Sequence, residues 1–341
     1  MRKLLQWAWV HLLYFTGCLW WARFSLSKTG AIVVLTFHRV LEDQTTTNSQ
    51  DGLIVRGKTF DQLCAYLKSG YQVVSIETSM PGEASKRLKV ACTFDDGWED
   101  NYRNALPSIR RHKVPVSIFL CPGYMNQANA FWPERAVAAL KTWNESAIDS
   151  CIETLKSFTP EQRQRAISAL EKGKTPTLMS SDRTMSWQDA SEMASAGVRF
   201  GSHTMMHEIL TNLPLHEARK EMEEAKEAIE NRLGTTCSTL AYPNGNFSDE
   251  IRSLAAELGY RRALGTNREA WTSAAETFAV PRFNTYEGNL VNPLGSFSPA
   301  MFMYTTVWQG WLKLNKAKMS RHFSGTPSIA EKKFSPATGR S

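Results

Sequence analysis

Beyond residue 30, short runs of apolar and β-branched residues alternate with segments of helical spacing. The runs AIVVLTF (31–37), YQVVSI (71–76), KVACTF (89–94) and PVSIFL (115–120) are each bounded by turn residues. Segments 59–70 and 102–111 carry apolar positions at helical intervals instead. Strands covered on both faces read as continuous apolar runs, and strand–helix alternation implies parallel pairing. The pattern therefore predicts an α/β fold, either a barrel or a layered sheet. Further strands are expected in STLAYP (238–243), YRRALG (260–265) and FAVPRF (278–283). Residues 215–234 form the clearest helix, with Glu and Lys spaced along a solvated face and Gly234 as its stop.

Three segments depart from this alternation. Residues 126–184 turn helical and charged and carry no motif for chemistry, so they are expected to be an insertion within a domain spanning 30–298. Residues 1–24 hold a mostly apolar stretch, about the length of a bilayer-spanning helix, with Trp7, Trp9, Trp20 and Trp21 near its ends, where indoles favour a lipid interface. This hydrophobic helix is read as a membrane anchor, with a buried amphipathic helix as the competing reading. Arg2 and Lys3 before it balance Arg23 and Lys28 after it, so no orientation follows. Residues 299–323 place Met301, Tyr304, Trp308 and Trp311 at helical spacing, predicting an amphipathic helix whose apolar stripe docks on the core. The tail, 324–341, has the composition of a disordered segment.

With 341 residues, 42% of them apolar and 21% charged, the chain has the size and composition of a globular protein with one large core. Its net charge of +7 points to an anionic partner, such as a membrane surface or an acidic glycan. Nucleic acid is not expected, because no helix-turn-helix, zinc-finger or aromatic RNA-binding pattern accompanies the basic residues. Six scattered cysteines without a C-x-x-C pair indicate neither a structural zinc module nor a dithiol redox site, and are expected to be free thiols.

Two segments carry chemistry. In KVACTFDDGWED (89–100) a strand ends on adjacent carboxylates, Asp95 and Asp96, followed by Gly97. Active sites of α/β folds gather at that end of the strands, and there two neighbouring carboxylates can reach one pocket, one to bind metal and one to act as base. In GVRFGSHTMMHEIL (197–210) His203 and His207 stand four residues apart after another apolar strand, a spacing that on a helical turn puts both imidazoles on one face. Two imidazoles with Asp96 as third ligand leave coordination positions open, the pattern of a catalytic metal site. Zinc is the default for such a set, and cobalt, nickel and manganese also suit it.

TFDDG followed by H-[ST]-x-x-H resembles the polysaccharide deacetylases, the NodB-homology group of carbohydrate esterase family 4, over residues 32–283. The resemblance implies a distorted (β/α) barrel and hydrolysis of acetamide groups on N-acetylglucosamine-containing polymers. It also implies Asp95 as base and Asp96, His203 and His207 as metal ligands. STLAYPNGNFSDE (238–250) is similar to the family's groove wall and puts Asn244 where a backbone N–H holds the oxyanion. Many members carry an arginine two residues before the proline that matches Pro243. Here that place is Ala241, and Arg282 is the candidate to orient Asp95, since a guanidinium pairs bidentately with a carboxylate. The family's usual late histidine is also missing, no histidine lying between His216 and His322. His38, at the end of the first strand, is the candidate acid, as relatives acting on biofilm glucosamine polymers supply theirs from such an N-terminal position. The expected substrate is an N-acetylated polysaccharide or glycolipid, met at a membrane and, by the resemblance, outside the cytoplasm. An O-acetyl esterase on the same scaffold and a silent glycan-binding or membrane-scaffold protein are the alternatives.

Overall fold

The computed structural model describes residues 2–127, 130–173 and 179–324. Its strands are β1 (Ile32–Phe37), β2 (Arg39–Leu41), β3 (Ile54–Arg56), β4 (Gln72–Val73), β5 (Lys89–Phe94), β6 (Val116–Leu120), β7 (Arg199–Ser202), β8 (Thr239–Ala241), β9 (Arg262–Leu264) and β10 (Phe283–Asn284). The helices are α1 (Arg2–Phe15), α2 (Cys18–Thr29), α3 (Gly57–Gly70), α4 (Leu106–His112), α5 (Trp132–Ala139), α6 (Glu145–Lys156), α7 (Pro160–Glu171), α8 (Trp187–Ser195), α9 (Leu215–Leu233), α10 (Asp249–Glu257), α11 (Pro299–Phe302) and α12 (Gln309–Ser324).

The sheet runs β10-β1-β5-β6-β7-β8-β9, with β4 also on β5, while β2 and β3 pair apart; each of these ladders is parallel. The two ends of the path, β9 and β10, do not pair as strands. Instead Val280 lies beside β9, its N–H donating to the Ala263 carbonyl at 2.9 Å and its carbonyl accepting from Gly265 N–H at 2.9 Å. This irregular seam is what makes the (β/α) barrel a distorted one. Along β1, Ile32 and Val34 face an inner cluster with Ala91, Phe119, Leu264 and Trp271, whereas Val33, Leu35 and Phe37 join the layer under the helices. Both faces are covered, which explains the unbroken apolar runs. The interior is tight: a Cβ on Gly201 would lie 2.6 Å from the Phe119 ring.

Between β6 and α8, helices α5, α6 and α7 pack on a small core of Trp132, Ala136, Ile152, Leu155 and Ile167. Buried Arg39 ties neighbouring segments to the barrel. It bonds Asp100 at 2.8 Å, Ser49 at 2.7 Å and Asp182 at 3.1 Å, and lies over the Trp98 ring. Capping boxes start α7 at Thr159 and α8 at Ser186, satisfying backbone donors that the first helical turn leaves open.

The apolar stretch near the N-terminus is not the single helix expected. Gly17, at φ 84°, separates α1 from α2, and Val10, Leu13, Leu19, Ala22 and Leu26 turn inward and are buried. Among the described residues no helix is long and apolar enough to cross a membrane. The C-terminal stripe docks on the core: Met301, Phe302, Met303 and Val307 are buried, with Tyr304, Trp308 and Trp311 packed beside them and a π-helical turn over Met303–Trp308 before α12. The tail expected to be disordered lies, apart from Ser324, outside the described residues. All six cysteines are free, and Cys64, Cys92, Cys121 and Cys237 are buried.

Candidate active site

The inner row of β5 passes from Ala91 through Thr93 to Asp95, so alternation along the strand brings one carboxylate to the mouth of the barrel. Asp96, the next residue, reaches the same pocket because its backbone leaves the strand at φ 74°, in the left-handed region. The histidines also sit on a turn rather than a helix, contrary to the spacing argument. Ser202 ends β7, and Thr204 (φ 66°) and His207 (φ 56°) wind the loop so that both rings face Asp96. Asn244, at φ 56°, completes a group of site residues in a conformation that non-glycine residues seldom adopt, as strained backbone at functional sites often does.

Asp95 is buried and gripped by buried Arg282, whose two terminal nitrogens donate to Oδ1 at 2.7 Å and Oδ2 at 2.9 Å. Arg282 Nε in turn donates to the Gly265 carbonyl at 2.9 Å, fixing the guanidinium in the seam beside β9. Burial alone would raise the Asp95 carboxyl, but Arg282 first, then His203 and His38, hold it below the usual carboxylate range. His38 Nε2 lies 4.0 Å from Asp95 Oδ2, and its buried Nδ1 has no hydrogen-bond partner.

Asp96 presents its two oxygens differently. Oδ2 accepts from the Trp98 indole at 2.9 Å. Oδ1 is buried with no hydrogen-bond partner and faces His207 Nε2 at 3.3 Å and His203 Nε2 at 3.5 Å. His203 is aimed by its other nitrogen, Nδ1, which donates to the Ala241 carbonyl at 2.8 Å in the tautomer that leaves Nε2 a lone pair. Burial drives the His203 imidazole down to about 4, so its neutral, ligating form prevails at neutral pH. The three ligating atoms lie within 4.8 Å of one another. An orphaned buried carboxylate oxygen opposite two imidazole nitrogens fits a divalent cation, and the N2O donor set is one that zinc and its neighbours accept.

These groups open onto one cavity of about 300 Å³, which Asn244 also lines. The sequence reading therefore named seven residues that the fold brings to a single pocket: His38, Asp95, Asp96, His203, His207, Asn244 and Arg282. It missed three features. Trp98 orients Asp96 from two positions along the chain, and its only sequence signal is an aromatic after the glycine of FDDG. Phe131 and Trp132 from the helical insertion form part of the cavity wall, and Phe131 packs edge-on against His207 at 5.2 Å. Glu134, on the same helix, is a buried carboxyl that accepts from Ser49 Oγ at 2.9 Å.

Burial first, and the Asp96 carboxylate second, push the Glu134 carboxyl up to about 7. A group raised in this way binds its proton more tightly when folded. Its contribution to stability is complete below the ordinary value of 4.5 and lost as pH climbs to about 7. In chelator-treated protein, wild-type stability relative to Glu134→Gln, measured by urea unfolding, should fall by about 3 kcal/mol across that window and then level off. A difference that stays flat with pH would show that the carboxyl titrates normally.

The polysaccharide deacetylase family model matches residues 82–263. Over 279 residues the chain is 22% identical to the polysaccharide-deacetylase candidate YxkH of Bacillus subtilis, covering 80% of this chain and 78% of that one. Among solved structures it is similar to the Streptococcus pyogenes deacetylase PplD in complex with acetate, with a TM-score of 0.55 at 20% identity over 79% of this chain and 99% of that one. IcaB from Ammonifex degensii gives 0.52 at 17% identity over 82% and 97%. At such identities the structural likeness is one of fold.

Proposed function

Since the chain belongs to the polysaccharide deacetylase family, we propose that it hydrolyses the acetamide of N-acetylglucosamine-type units in a polysaccharide or glycolipid, using a divalent cation, zinc by default, held by Asp96, His203 and His207. The observation that carries this reading is the bare Asp96 Oδ1 between two imidazoles, one carboxylate away from an Asp95 clamped by Arg282. Bound there, the cation would supply Lewis acidity to the acetyl carbonyl and bring hydroxide within reach at neutral pH.

The chain's own groups do the rest. Asp95, kept ionised and aimed by Arg282, takes a proton from the attacking water as the C–O bond forms. The Asn244 backbone N–H is assigned the developing oxyanion, a reading supported by Asn244 lining the same cavity on a left-handed turn. His38 gives its proton to the departing nitrogen as the C–N bond breaks, so acetate and a free amine result. Acetate release from paired N-acetylated and O-acetylated oligosaccharides, with product masses, tests this reading. Release from the O-acetylated members alone, or from none, would overturn it.

An acid is needed chiefly where the leaving group is a poor one. His38→Gln should therefore slow acetamide hydrolysis by about 10²- to 10³-fold while leaving aryl acetates, whose leaving groups depart unaided, almost unaffected. Equal losses on both substrates would assign His38 a structural part instead.

A further inference from the structure

The outer faces of α1 and α2 hold most of the large apolar surface of the described residues. Of thirteen exposed large hydrophobic side chains, eight fall within residues 4–24, among them Leu5 (66% exposed), Leu12 (53%), Phe15 (81%), Trp21 (56%) and Phe24 (58%). Isolated exposed apolar residues are ordinary, whereas a concentration on two consecutive helices marks a surface that something else covers. The inner faces are already engaged with the core, so this orientation is held in place. Arg23 donates to the Gly70 carbonyl and lies 4.2 Å from the Tyr71 ring centroid, and Trp21 meets Trp311 of α12 edge-on at 4.8 Å.

Charge names the occupant. Residues 2–29 contain four basic residues and no acidic one, and residues 299–324 contain the same, so these two adjoining segments carry +8 while the rest of the chain nets −1. A helix of 14 residues is about 21 Å long, short of the roughly 30 Å hydrocarbon core, so α1 cannot span it. We propose that α1 and α2 lie in the plane of an anionic bilayer surface, their outer apolar side chains sunk at the boundary between headgroups and acyl chains. Indole rings suit that depth, and Lys28 and Lys316 add attraction to anionic headgroups, whereas Lys313 is shared with Glu269 at 3.5 Å.

Flotation of the full chain with phosphatidylcholine vesicles, with and without phosphatidylglycerol, tests this without reference to the catalytic reading. The chain should float with the anionic vesicles and be released by molar salt in part. The exposed triple substitution Leu5→Gln, Leu12→Gln, Phe15→Gln should lower partitioning by about 100-fold or more while the melting temperature holds. Should that variant fail to fold, Lys28→Glu with Lys316→Glu serves in its place and should abolish the preference for phosphatidylglycerol. Failure of the full chain to float, equal flotation of the variants, or a triple variant that only dissolves a dimer of the full chain would overturn the assignment, the last giving the surface to a second copy.

Discussion

His203→Ala protein should lose its cation and, with it, acetate release to below detection. His203 supplies one of three ligating atoms, and removing even an outer partner of a metal ligand costs about 10- to 100-fold in affinity, so loss of the ligand itself should exceed that. The expected result is less than one equivalent of cation by elemental analysis after dialysis, set against full loading in wild type and in His216→Ala, whose ring lies outside the site and is largely exposed. A His203→Ala protein that kept both a full equivalent and wild-type turnover would remove the proposed centre altogether.

Asp95→Asn separates the base from the metal. The amide keeps the shape of the side chain but cannot take a proton, so kcat should fall by about 10²- to 10⁴-fold with the cation still bound. Stability should fall as well, because Arg282 would be left as a buried, unpaired guanidinium, a loss that in other proteins costs about 3–5 kcal/mol. The double substitution Asp95→Asn with Arg282→Met removes both charges and should recover much of the melting temperature but none of the turnover. Recovery of turnover in the double variant, or wild-type activity in Asp95→Asn, would mean that another group takes the proton.

The legible and illegible parts of this protein divide along physical lines. Parallel strands buried on both faces announce themselves as β-branched runs, and a strand that ends on two carboxylates and a glycine points to the mouth of the barrel. Arg282 was reachable by asking which cation could replace the one missing at Ala241. The winding of the histidine loop was not, because a four-residue spacing looks helical until Thr204 and His207 adopt left-handed backbone, which no local pattern specifies. The wall supplied by Phe131, Trp132 and Glu134 was hidden for a different reason. An amphipathic helix shows which face is apolar but not that its first turn will meet a pocket formed by distant strands. At the N-terminus a Thr-Gly pair inside an apolar stretch was too weak a signal to predict that Gly17 would divide it.

The seam that closes the barrel also carries the arginine that steadies the base. A polypeptide emerging from the ribosome thus contains Asp95 long before Arg282, the residue that aims it, has been made and laid against β9. Completion of the sheet and the aiming of the base become one event, and a molecule cut short before residue 282 would hold its strand-end carboxylate without the guanidinium that orients it.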